Sequence, residues 1–112
     1  MAAGVYNIVI EQGATFVLNV TIKEDGEPKN ISGYSARAQL RPTRTSTTLT
    51  ATFTCSIPDP TSGLIIMEMT PTTTSGITDG RYYYDLELVG AGETIINRLL
   101  QGEVTVSPEV TR

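Results

Sequence analysis

Apolar and polar residues alternate without interruption over residues 49–57, which read Leu49-Thr50-Ala51-Thr52-Phe53-Thr54-Cys55-Ser56-Ile57. Side chains of a β-strand point alternately to its two faces, so this order places the apolar side chains on one face and the hydroxyl side chains on the other. In a helix the same apolar residues would be spread around the whole circumference, and β-branched Thr is poorly suited to a helix. The segment is therefore predicted to be a strand with one face on a core.

The same alternation recurs in residues 15–22, 35–41 and 81–88. Every second residue in these segments is apolar, which indicates strands that pack on one side. The side chains that this pattern assigns to the core are Phe16, Leu18, Val20, Ile22, Ala36, Ala38, Leu40, Tyr82, Tyr84, Leu86 and Leu88. Residues 64–69 form a further apolar run that is too short for an ordinary helix, and residues 94–100 are predicted to form the strand that follows 81–88.

Turn-forming residues separate these segments. Residues 24–28 contain Asp-Gly and a proline, which predicts a tight turn and a strand exit. Residues 58–63 form a turn by composition, and the Thr-rich connection 71–80 has room for one helical turn at most. Residues 90–93 predict a hairpin, and Gly102 predicts a bulge or break before the last strand.

Counting these segments gives about seven to eight short strands and no long amphipathic helix. Together with a length of 112 residues, this predicts a single all-β domain over residues 1–112, an Ig-like antiparallel β-sandwich. The likeness to immunoglobulin domains is expected in architecture only, because the chain has no Trp and one Cys. Residues 1–7 and 107–112 are expected to become ordered only on contact with a partner.

The composition disfavours enzymes. The chain has no His, which removes the commonest general base and zinc ligand, and its single cysteine excludes an intrachain disulfide. Cys55 lies on the apolar face of its predicted strand and is expected to be a buried, inert thiol. The acidic residues Glu24, Asp25 and Glu27 lack the ligand spacing of a calcium loop and are interpreted as a solvated turn. We therefore predict no enzymatic activity, no metal and no cofactor.

The net charge of -4 gives no general attraction for nucleic acid, so no nucleic-acid partner is predicted. The chain contains no apolar run of the length that a membrane helix needs, and its first residues have neither the basic nor the apolar region of a signal peptide. A soluble protein that is made in the cytoplasm and does not bind membranes is expected.

One basic cluster stands out, formed by Arg37, Arg41 and Arg44. The first two lie on the polar face of the strand 35–41, and the third lies in the loop that follows it. Two interpretations remain open. The guanidinium groups either keep this sheet face soluble by pairing with acidic residues of a neighbouring strand, or they bind carboxylates of another protein subunit.

Tyr83 is predicted to point outward between two inward tyrosines, which makes it an interface candidate. The alternative is a ring that lies along its own sheet beside a neighbouring side chain. Tyr6 and Arg112 are further interface candidates near the two chain ends. Tyr6, Tyr34 and Tyr83 would be the stacking residues if the protein were a carbohydrate-binding recognition module.

Four segments, taken in order, resemble a known group of proteins. They read Ile-Glu-Gln-Gly-Ala-Thr-Phe at 10–16, Asp-Gly-Glu-Pro-Lys-Asn-Ile-Ser-Gly-Tyr-Ser-Ala-Arg-Ala-Gln-Leu-Arg at 25–41, Asp-Gly-Arg-Tyr-Tyr-Tyr-Asp-Leu-Glu-Leu at 79–88, and Leu-Leu-Gln-Gly-Glu-Val-Thr-Val-Ser-Pro-Glu-Val-Thr-Arg at 99–112. This succession resembles small virion structural proteins of tailed bacteriophages, and it is similar to the N-terminal domain of the phage baseplate upper protein. The resemblance spans nearly the whole chain.

The match departs from the group at Ala14, where Asp is frequent, and at Ile31, where Leu is frequent. The resemblance implies a non-enzymatic, Ig-like structural subunit in a symmetric virion assembly. Within the particle we predict a tail or baseplate subunit that acts by protein-protein contact with other virion proteins, as a homo-oligomer. A capsid decoration or cement protein on the head lattice is the alternative within the virion.

Overall fold

The computed structural model describes residues 4–90 and 96–111 and is built almost entirely of β-strands. A single helical turn, α1 (Pro71–Ser75), and a short 3-10 turn (Pro60–Ser62) interrupt them. The strands are β1 (Gly4–Val5), β2 (Ile8–Glu11), β3 (Phe16–Thr21), β4 (Lys23–Glu24), β5 (Glu27–Pro28), β6 (Ser35–Arg41), β7 (Ala51–Ser56), β8 (Leu64–Met69), β9 (Gly80–Val89) and β10 (Ile96–Ser107).

All strands except the β4-β5 hairpin belong to one curled sheet in the order β1-β10-β9-β6-β7-β8-β3, with β2 also paired to β10. Strand β7 joins the two halves of this sheet. Its first half pairs with β6, with Phe53 opposite Ala38, whereas its second half pairs with β8, with Cys55 opposite Met67. The sheet therefore turns at β7 and folds back over its own inner face, and the predicted all-β, sandwich-like fold is confirmed.

The core lies between the two halves. The Phe53 ring on β7 contacts Phe16 on β3, with ring centroids 5.7 Å apart, and Tyr84 on β9, with centroids 6.1 Å apart. Aliphatic side chains from β2, β8, β9 and β10 fill the remaining space, among them Ile10, Ile65, Met67, Leu86, Leu88, Val104 and Val106. The inward faces predicted from alternation in β3, β6 and β9 are the faces that pack on this core.

Two turn predictions are confirmed in detail. Asp25 and Gly26 have positive φ values of 54° and 81° and connect β4 to β5, as the Asp-Gly pair predicts. The Thr-rich connection contains the single helical turn α1. The hydroxyl of its buried Thr74 donates a 2.9 Å hydrogen bond to the carbonyl of Ala14, which ties α1 to the chain just before β3.

The strand predicted over residues 49–57 is shorter than expected. It runs over Ala51–Ser56, and Leu49, which alternation assigned to the core, is 46% exposed. Strand β6 ends at Arg41, and its pairing with β7 stops where Leu40 lies opposite Ala51. Beyond that point Leu49 has no neighbouring strand to pack against, so the apolar alternation continues in the sequence but not in the fold.

The break predicted at Gly102 is wrong, because β10 runs through it without interruption from Ile96 to Ser107. The irregularity in β10 lies between Arg98 and Leu100. Gly102 serves a close approach instead: a Cβ atom there would lie 2.3 Å from the carbonyl oxygen of Tyr6. The interrupted strand is the N-terminal one, which pairs with β10 in a single register on both sides of Tyr6.

The N-terminal strands also depart from the purely antiparallel arrangement that was expected, since β1 and β2 both pair with β10 in parallel. At the C-terminal end, Ser107 pairs with Glu11, and the Glu109 amide donates to the Gln12 side chain. The described parts of both ends thus contact their own chain, and ordering by a partner stays a prediction. The predicted 90–93 hairpin and the start of the following strand fall mostly outside the described residues.

Candidate protein-protein interface

The outer face of strands β6, β9 and β10, together with the loop after β6, carries the basic cluster Arg37, Arg41 and Arg44 that the sequence singled out. Three outward residues of β9 form its centre: Tyr83 lies opposite Arg41 of β6, Asp85 opposite Gln39, and Glu87 opposite Arg37. The antiparallel register sets these pairs side by side, so their side chains can interact directly. On the other side of β9, Asp85 lies opposite Gln101 of β10.

Ion pairs cross this face. The Arg37 Nε lies 2.8 Å from the Glu87 Oε1, and the Arg98 Nε lies 3.3 Å from the Asp85 Oδ2. The first of these is the cross-strand pairing that the sequence left as one of two interpretations of the basic cluster. Both pairs are partly exposed, and such pairs contribute little to folding stability. Their main effect is to hold the guanidinium groups in place on the surface.

Arg41 and Arg44 have different environments. Arg41 is half-buried, and its Nη2 donates a 2.7 Å hydrogen bond to the Gln39 Oε1. The guanidinium carbon of Arg44 lies 5.1 Å from the centre of the Tyr83 ring, within the range of a cation-π contact. Tyr83 therefore points outward as predicted, but it is half-buried because a loop arginine covers part of it.

These side chains enclose a shallow polar depression of about 310 Å³. Its charged lining consists of three arginines, Arg41, Arg44 and Arg98, and two carboxylates, Asp85 and Glu87. The local balance is positive although the whole chain carries a net charge of -4. The depression is thus suited to a negatively charged group on another molecule.

Asp85 lies half-buried at the centre of this face. Burial raises its pKa above the usual 3.8, and the neighbouring Glu87 raises it further. Arg98, Arg41 and Arg37 lower the pKa and so oppose these two effects. An acidic group and a ring of arginines in one depression form a mixed surface of the kind that sets specificity at protein interfaces.

Cys55 lies on the core-facing side of β7, as predicted, but it is only partly buried. It is a free thiol, and burial raises its pKa to about 11. At neutral pH the sulfur is therefore protonated and is a weak nucleophile. In the predicted acidic turn, Glu24 forms a 3.3 Å ion pair with Lys29.

The three tyrosines that were considered for carbohydrate stacking are not brought onto one surface. Tyr34 precedes β6 and packs partly against the core, whereas Tyr83 lies opposite Arg41 at the other end of that strand. Tyr6 is exposed at the sheet edge, where its amide donates to the Gln101 carbonyl. Arg112, the remaining interface candidate, lies outside the described residues.

Sequence reasoning missed the contribution of Arg98 to this surface. Alternation in β9 correctly puts Asp85 on the face of Tyr83, but the strand that supplies the partner of Asp85 cannot be read from local pattern. The register of β10 against β9 shifts between Arg98 and Leu100, so simple alternation along β10 would also misplace this arginine.

Comparisons with known proteins show the fold and no more. No family model matches the chain, and no curated protein matches it significantly. Among solved structures, the N-terminal domain of phage TP901-1 ORF48 is similar to it with a TM-score of 0.58 and 12% sequence identity. The alignment covers 89% of this chain and 83% of that chain, so the two share a fold over nearly their full lengths.

The resemblance to phage proteins that the sequence segments suggested is thereby supported at the level of the fold. Of the residues that the structure describes, none form a helix long and apolar enough to cross a membrane.

Proposed function

We propose that this protein is a non-enzymatic structural subunit of a bacteriophage virion, located in the tail or baseplate and acting through protein-protein contacts. The observation that carries the proposal is the fold, which matches a phage protein domain over 89% of this chain. The ordered sequence segments described above resemble the same group of proteins. Two independent kinds of similarity therefore support one class of function.

The charged face of β6, β9 and β10 is the surface proposed to bind a neighbouring virion protein. Arginine offers several donors in a fixed geometry that matches carboxylates, and Tyr83 adds a rigid amphipathic ring. The ion pairs to Glu87 and Asp85 hold Arg37 and Arg98 in position before binding, which lowers the entropy lost on association. An acidic surface of another subunit is the partner of this chemistry.

Self-association is part of the proposal. The chain is small, and virions use many copies of such subunits in closed symmetric arrangements. The described residues offer no catalytic constellation that would compete with this role: burial keeps the Cys55 thiol protonated at neutral pH, and Arg37 and Arg98 pair with carboxylates. We propose contacts with other virion proteins and with copies of itself, and none with nucleic acid or membrane.

Fractionated virions test the location. Particles from the source lysate are dissociated into heads and tails, and each fraction is analysed by quantitative mass spectrometry for peptides of this chain. We expect the chain to follow the tail fraction in a constant ratio to known tail proteins. Recovery with the heads would support the decoration protein instead, and absence from both fractions would reject a virion subunit.

A further inference from the structure

Strand β3 is one of the two edges of the curled sheet, and among the described strands β8 alone pairs with it. The Ile22 amide donates to the Gly63 carbonyl. Because backbone groups alternate in direction along an antiparallel strand, Val20, Leu18 and Phe16 also direct their N–H and C=O groups to β8. The intervening residues Val17, Asn19 and Thr21 direct their backbone N–H and C=O groups to the open side. Their side chains are exposed as well, and Val17 is 53% exposed.

The core is incompletely covered along this edge. The inward side chains Phe16, Leu18, Val20 and Ile22 are all only partly buried. At the opposite edge, by contrast, the inward side chains Ile8 and Ile10 of β2 are buried. The β2 edge is thus closed over the core, whereas the β3 edge leaves apolar surface that an added strand would cover.

The β3 edge also lacks the usual protection against pairing. Exposed edge strands commonly carry a charge, a proline or a bulge. Residues 15–22 contain no charged residue and no proline, and β3 pairs with β8 in an unbroken register. Helix α1 contacts the chain at Ala14, before the strand begins, and Val17, Asn19 and Thr21 are exposed in the part of the chain that the structure describes.

We propose that β3 pairs with β3 of a second copy of this chain, antiparallel and related by a twofold axis at Asn19. The pairing adds a strand to each sheet and joins the two sheets edge to edge. Because Asn19 directs its backbone groups to the open side, the two Asn19 residues would form a hydrogen-bonded pair. Together with the Val17 and Thr21 pairs, this gives about six backbone hydrogen bonds.

The sequence of β3 complements itself in this register, which is the reason for assigning a second copy to the edge. On the exposed face, Asn19 meets Asn19, and its amide can both donate and accept. Val17 meets Thr21, so two β-branched side chains pack together. On the inner face, Leu18 meets Val20, which covers the apolar surface that each chain leaves open alone.

This inference rests on the self-association in the proposed function. It is tested on the isolated chain, so that its failure would leave the virion location standing. Sedimentation velocity over a range of protein concentrations is expected to show a monomer-dimer equilibrium. A chain that is monomeric at every concentration up to about 1 mM would overturn the proposal.

A charge at the twofold axis should separate the dimer. Asn19→Lys places two ammonium groups beside each other, and we expect the dissociation constant to rise about tenfold or more. Thr52→Lys is the matched control, because Thr52 is also exposed but lies on the interior strand β7. Unfolding curves of both variants show whether they fold. A folded Asn19→Lys protein with unchanged association would place the contact elsewhere.

Cysteine cross-linking tests the register itself. In a Cys55→Ala background, Asn19→Cys should form an intermolecular disulfide on mild oxidation, because the Cα atoms of such a pair are about 5.5 Å apart. Val17→Cys should not link to itself, but it should link to Thr21→Cys when the two proteins are mixed. Self-linking of Val17→Cys in preference to Asn19→Cys would reject the proposed axis.

Discussion

The hydroxyl of Tyr84 donates a 2.6 Å hydrogen bond to the backbone carbonyl of Tyr6. This bond spans 78 positions of the chain and joins the sheet centre to the point where β1 ends and β2 has not begun. Gly102 of β10 lies beneath the same carbonyl and leaves room for it. Tyr84 on β9 and Gly102 on β10 thus both meet the N-terminal strand at Tyr6, where that strand is interrupted.

Tyr84→Phe should lower the free energy of unfolding by about 1–2 kcal/mol, because it removes the hydrogen bond but keeps the ring that packs on Phe53. Urea denaturation measures the change. Tyr82→Phe is the control, since Tyr82 donates a similar 2.7 Å hydrogen bond to Thr78 at an exposed position, and it should cost clearly less. Equal losses in the two variants would contradict the role assigned to Tyr84.

Gly102→Ala should destabilise the fold by about 1–3 kcal/mol, because the new methyl group would displace the Tyr6 carbonyl from its place above β10. Gly76→Ala is the control: its φ is -84°, and a Cβ there meets its nearest atom, the Thr73 carbonyl oxygen, at an ordinary 3.5 Å. Thermal unfolding compares both with the parent protein. A neutral Gly102→Ala would show that β1 does not need this close approach.

Alkaline solution should weaken the fold. Burial raises the pKa of Cys55 from 9.0 to about 11 and, together with the nearby Tyr6, raises the pKa of Tyr84 from 10.0 to about 12. Between pH 9.0 and about pH 12 the folded chain keeps protons on these two groups that the unfolded chain has lost. The free energy of unfolding therefore falls as the pH rises through this window. Below pH 9 both groups are protonated in the folded and the unfolded chain, so the stability is fully present there.

Urea denaturation below, inside and above this window measures the effect. Cys55→Ala should flatten the lower half of the decline and Tyr84→Phe the upper half. A stability that stays constant or increases through the window in the parent protein would contradict the burial of these two groups.

Tyr83→Ala should leave the domain folded and reduce its incorporation into particles by about tenfold, because Tyr83 is the aromatic residue of the proposed interface and its ring contacts the Arg44 guanidinium. Thr54→Ala, on the exposed face of β7, is the control and should be incorporated normally. Complementation of a phage that lacks the gene, with quantification of the chain in purified particles, measures both. Normal incorporation of Tyr83→Ala would remove this face from the assembly.

Much of the local structure follows from residue order. Alternation assigned the correct core face to β3, β6 and β9, and β6 has the bounds that were predicted for it, Ser35–Arg41. These predictions succeed because side-chain direction in a strand depends only on position along it. Leu49 shows the limit of the method, since its alternation is intact but the neighbouring strand has ended.

The candidate interface was predicted only in part. Four of its residues were recognised from the sequence. Arg37 and Arg41 lie on the polar face of one predicted strand, Arg44 lies in the loop after it, and Tyr83 lies at an outward position of another strand. Arg98 was not recognised, since its place beside Asp85 depends on how β10 pairs with β9 and on a local shift in that pairing.

Local pattern was therefore enough to identify β3, β6, β7, β8 and β9 as strands and the inward faces of β3, β6 and β9, because each of these depends on neighbours in the chain. The passage of β7 between the two halves of the sheet, the parallel pairing of the N-terminal strands with β10 and the open edge at β3 depend on contacts between distant segments. Such contacts arise when hydrophobic faces are buried together. Local pattern does not reveal them, because many strand pairings satisfy the same alternation. Tertiary structure selects one pairing, and with it the surfaces available for assembly.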